Sequence, residues 1–154
     1  MTNSRMRTLA ISLFILLPGP VSLAAAEQGA AANLAAAKSL RCIFQSAIET
    51  SWEGGSYQTR PQKGFSFTIE AINTARGNAK AVSQQGAAHL EMIALSNVRH
   101  FLGFTAGGDL NATSVHGQYS RDDGAFLASH SVHMASEPPQ TFQHFGDCWL
   151  ISEK

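Results

Sequence analysis

Apolar and polar positions alternate most cleanly over residues 65 to 71. There Phe65, Phe67, Ile69 and Ala71 fall on one side of an extended chain and Ser66, Thr68 and Glu70 on the other, as a half-buried strand requires. Further strand-like runs recur at 42–52, 78–83, 88–95, 98–105, 110–119, 125–134 and 144–151. Between them stand Arg76-Gly77-Asn78, Ala106-Gly107-Gly108-Asp109 and Arg121-Asp122-Asp123-Gly124, residues that start tight turns or accept positive φ. The segment 53–64, with Gly54-Gly55, reads as a loop. Links this short join antiparallel neighbours, because a parallel crossover needs about a dozen residues or more. The expected fold is all-β: an antiparallel meander of about eight strands closing into a small barrel, or alternatively a two-sheet β-sandwich.

The N-terminal part has a different pattern. Arg5 and Arg7 precede an apolar run from 9 to 17, then Pro18-Gly19-Pro20, then Ala24-Ala25-Ala26. This is the layout of a cleavable export signal over 1–26, cut after Ala26, and it predicts a periplasmic or extracellular protein with no membrane span after cleavage. Residues 27–40 are alanine-rich, with only Leu34 and Leu40 to bury. They read as a short, loosely docked helix or a disordered lead-in to a single β domain over 41–154. Removing the signal leaves nine basic residues against eleven acidic ones, a net charge of about −2. The basic residues are scattered and form no stripe interleaved with aromatics, which argues against a nucleic-acid partner.

Two cysteines, Cys42 and Cys148, lie at opposite ends of the predicted β region. In an exported chain they read as one disulfide; metal-ligating thiolates or a redox couple are the rival readings, without the C-x-x-C spacing that would favour them. Bridged cysteines hold their Cα atoms within about 7 Å, so a disulfide makes the first and last strands neighbours. A meander whose ends meet is a barrel without exposed edges.

The segments "FSFTIEAINTARGNA" and "HFLGFTAGGDLNATSV", the F-x-A-x-H-S-x-H of 126–133 and the Q-x-F-G-x-C of 143–148 together resemble a family of small exported proteobacterial proteins of uncharacterised function. The resemblance runs from about Lys38 to Cys148. It implies export and one compact domain, and it supplies no reaction. The family pattern reads H-S-R-H where this chain has Val132, so no role for a cation at that position carries over.

His130 and His133 are the residues that most invite a chemical reading. On a regular strand they have opposite parity: Phe126, Ala128, His130, Val132 and Met134 share the apolar face, and His133 points away with Leu127, Ser129 and Ser131. One histidine, His130, is therefore expected inside. His100, by parity with Val98, Leu102 and Phe104, and His116, across a turn, are its candidate partners in ligand binding. His89 and His144 read as surface or strand-end residues. No serine sits in a Gly-x-Ser-x-Gly turn, and Glu70 and Glu91 have no visible carboxylate partner. No catalytic set, metal site or cofactor is assigned. The favoured function is a non-enzymatic module binding a small ligand or an envelope protein, against which stands a packed interior that Phe65, Phe67, Phe104, Phe126 and Met134 fill without leaving room; the alternative function is a metal-dependent or hydrolytic site centred on His130 with His100 or His116.

Overall fold

The computed structural model describes residues 23–121 and 123–152, with side chains from Gln28 onward. The export signal expected over 1–26 lies, apart from the backbone of 23–26, outside the described residues. One helix, α1 (Leu23–Ala36), precedes nine strands: β1 (Leu40–Glu53), β2 (Ser56–Gln62), β3 (Phe65–Asn73), β4 (Asn78–Ser83), β5 (Gly86–Ala94), β6 (Val98–Phe104), β7 (Leu110–Tyr119), β8 (Phe126–His133) and β9 (Gln140–Leu150).

From β3 to β9 each strand pairs antiparallel with the next. β1 pairs with both β3 and β9, which closes an eight-stranded barrel with β2 as an extra strand. The predicted disulfide lies in the closing seam: Cys42 and Cys148 are direct partners in the β1–β9 register, their Cα atoms 4.1 Å apart. Gly146 makes the same seam possible. It faces inward where the β1 register shifts between Phe44 and Ser46, and a Cβ there would lie 2.1 Å from the Ile43 carbonyl oxygen. No side chain fits, so the Q-x-F-G-x-C glycine is a packing requirement of the seam.

The loop expected over 53–64 is instead the second arm of a hairpin. Gly54 and Gly55 have φ of 57° and 87°, and Glu53 pairs with Ser56, the two-residue turn that needs positive φ at both central positions. β2 covers the distal half of β1, and all its residues are exposed. An edge strand that buries neither face has no alternation to betray it, and its Pro61 is tolerated at an edge.

The helix docks more firmly than expected. Ala30 and Leu34 are buried in the same core as Leu40, Ile72, Val115 and Phe126. Gly117, facing inward on β7, lets the helix approach: a Cβ on it would meet Ala31 Cα at 2.8 Å. The Asn33 amide donates to the Tyr119 hydroxyl at 2.5 Å. α1 thus closes the end of the barrel where β3, β5, β7 and β9 finish. The opposite end, marked by the β4–β5 and β6–β7 turns, is open. Among the described residues no helix is long and apolar enough to cross a membrane.

Two parity expectations are corrected. On β3 the bulge at Ala71, with φ of 51°, ends the alternation, so Ala71 is exposed and Ile72 is buried. On β6 the inward residues are Arg99, Phe101 and Gly103; Phe101 is 1% exposed, whereas Phe104 is 72% exposed. That strand carries large apolar residues on both faces, so apolarity could not tell inside from outside.

Candidate functional site

Inward-facing residues are distributed unevenly around the open half of the barrel. β1, β3, β8 and β9 contribute aromatic rings: Phe44, Phe65 and Phe67 stack at centroid distances of 5.2 to 5.9 Å, and His130 and His144 pack edge-on against Phe65 at 5.1 and 4.7 Å. β4, β5 and β6 contribute Ala81, Ser83, Gly86, Ala88 and Gly103 at the facing positions near the mouth, with the larger Leu90 and Phe101 one step deeper along the same strands. An eight-stranded barrel is just wide enough to be filled by side chains or to hold one small ligand. Here small residues opposite the rings leave a cavity of about 600 Å³ at the open end, within the range of small-molecule sites.

His130 lines this cavity at 6% exposure, as its strand parity predicts. Its Nδ1 lies 2.8 Å from the hydroxyl of Thr113, its direct partner across the β7–β8 ladder. Burial, reinforced by the neighbouring His144, pushes its imidazole down to about 4, so the ring is neutral at pH 7. A hydroxyl against an imidazole is the first half of a nucleophile and base pair. Among the described residues no carboxylate is hydrogen-bonded to the ring, and its lowered basicity makes it a weak proton acceptor.

The partners expected for His130 are elsewhere. His100 points outward and bonds Ser114 at 2.8 Å through its Nδ1, because β6 has the reverse parity to that expected. His116 is exposed on the outer face, opposite Val98. The site combining His130 with His100 or His116 is therefore not formed, and among the described residues no three His, Cys, Asp or Glu side chains are grouped to hold a metal ion. His133 is exposed, on the side its parity predicts. Cys42 and Cys148 are consumed in the disulfide.

No protein-family model, curated protein or solved structure matches the chain.

His144, expected as a surface or strand-end residue, packs behind the cavity wall against Phe65 and His130. It is buried, directly opposite His130 in the β8–β9 register, with ring centroids 5.8 Å apart. Burial lowers its basicity as well. Its Nδ1 is, among the described residues, the buried side-chain polar atom without a hydrogen-bond partner. A signal for it existed: once Cys148 faces inward, parity brings Gly146 and His144 inward too. Asn111 and Thr113, within the strand-like run 110–119, both face inward and line the cavity with His130.

Proposed function

We propose that this protein is a non-enzymatic binding module of the cell envelope or its exterior that holds one small, mainly apolar molecule in the open end of its barrel. The observation that carries the reading is the aromatic-walled cavity of about 600 Å³ with a small polar group, Asn111, Thr113 and His130, on one side. An apolar wall with a few convergent hydrogen-bonding groups is the usual build of a small-molecule site. Export is supported by the N-terminal sequence pattern and by the disulfide, which persists in oxidising compartments.

The test is titration with N-phenyl-1-naphthylamine, a fluorophore that brightens in apolar surroundings, against the parent and an Ala88→Phe variant. Ala88 lines the cavity, and a phenyl group there occupies it. Saturable one-to-one binding by the parent, lost in a folded variant, supports the proposal. No saturable binding by the parent, or equal binding by both, overturns it.

A further inference from the structure

We infer that the cavity selects uncharged ligands and rejects anions and cations of the same shape. This rests on the binding role proposed above and narrows it to a ligand class. None of the described residues lining the cavity is Asp, Glu, Lys or Arg. Its polar groups are the Asn111 amide, the Ser66, Ser83, Thr105 and Thr113 hydroxyls, the glutamine amides of the β4–β5 turn and the His130 ring. That ring is neutral at pH 7 because burial disfavours its charged form.

The charged residues of the open-end connections, Lys63, Asp109 and Glu137, stand outside the cavity lining. On the β1–β2 hairpin Glu49 accepts from Gln62 and Gln140, and Glu53 pairs with Arg60. The one inward arginine of β6, Arg99, lies at the helix end and donates to the carbonyls of Leu95 and Val98 at 2.6 and 3.2 Å. An ion entering the cavity would give up its hydration and meet no opposite charge, which is the costliest form of burial. A neutral polar group loses less and regains a hydrogen bond with Asn111 or with the His130 ring, whose Nδ1 is engaged by Thr113. The polar side of the site therefore orients a carbonyl, hydroxyl, ether or amide, and does not anchor a carboxylate, sulfonate or ammonium.

A matched pair of probes tests this. N-Phenyl-1-naphthylamine and 1-anilinonaphthalene-8-sulfonate share one ring skeleton and differ by an anionic group. At pH 7 the neutral probe should bind at least tenfold more tightly, and Asn111→Lys, which places a cation in the wall, should shrink the difference. Comparable binding of the two probes, or an unchanged difference in Asn111→Lys, overturns charge selection while leaving a ligand site intact. Failure of both probes to bind overturns the site itself.

Discussion

His130 and His144 face each other across neighbouring strands inside the barrel, one bonded to Thr113 and the other with a nitrogen left unpartnered. Two imidazoles this close and this buried are stable together only while both are neutral, since either cation would be desolvated and would repel the other. The pair sits on the hydrogen-bonded frame that positions the polar side of the cavity.

A pH dependence follows. His130 falls from about 6.5 in the unfolded chain to about 4 in the folded protein, so between these values the unfolded chain binds more protons. Stability therefore falls as pH drops through 6.5 and keeps falling until about 4. From pH 7.5 to pH 5 the contribution of His130 is a loss of about 2 kcal/mol, and the lowered His144 acts in the same direction. Urea midpoints at the two pH values should show this loss in the parent and a smaller one in His130→Gln. An equal loss in the variant would assign the pH response to other groups.

His144→Phe should leave stability at pH 7 unchanged or raise it by up to about 2 kcal/mol, because a phenyl ring of similar shape removes a buried nitrogen that bonds nothing. It should also flatten the acid response. Destabilisation by more than about 1 kcal/mol, measured by denaturant unfolding, would mean that His144 makes an interaction its surroundings do not reveal.

The Cys42–Cys148 bridge joins residues 106 apart in sequence on directly paired strands. Reduction, or Cys42→Ser with Cys148→Ser, should cost about 2 to 5 kcal/mol through the freedom restored to the unfolded chain. The folded barrel should survive, because β1 and β9 remain paired along their length from Leu40 to Ser51. Thermal unfolding with and without reductant checks the magnitude, and far-ultraviolet circular dichroism of the serine variant checks the fold.

The meander was legible wherever turn residues bound a run with one clear face. β4 and β7 match their predicted limits, and the disulfide argument led from sequence to barrel closure. What was not legible has physical causes. β2 is polar on both faces, so only the Gly54-Gly55 turn marks it. β6 is apolar on both faces, and its inward Gly103, against which a Cβ would come within 2.9 Å of Leu90 Cδ2, gives no hydropathy signal. The inverted parity of β6 carried His100 outward and removed it from the expected site. The cavity itself depends on small residues of β4 to β6 lying opposite aromatics more distant in sequence, a relationship set by strand register around a closed barrel.

The most direct test of the account is to locate the bound probe by nuclear magnetic resonance, adding N-phenyl-1-naphthylamine to the isotopically labelled, disulfide-intact protein. The account predicts that shift changes concentrate on Ala81, Ala88, Gly103, Thr113 and His130 around the open end. Changes centred instead on the exposed outer residues Ile93, Trp52 and Tyr57, with the interior unmoved, would contradict it.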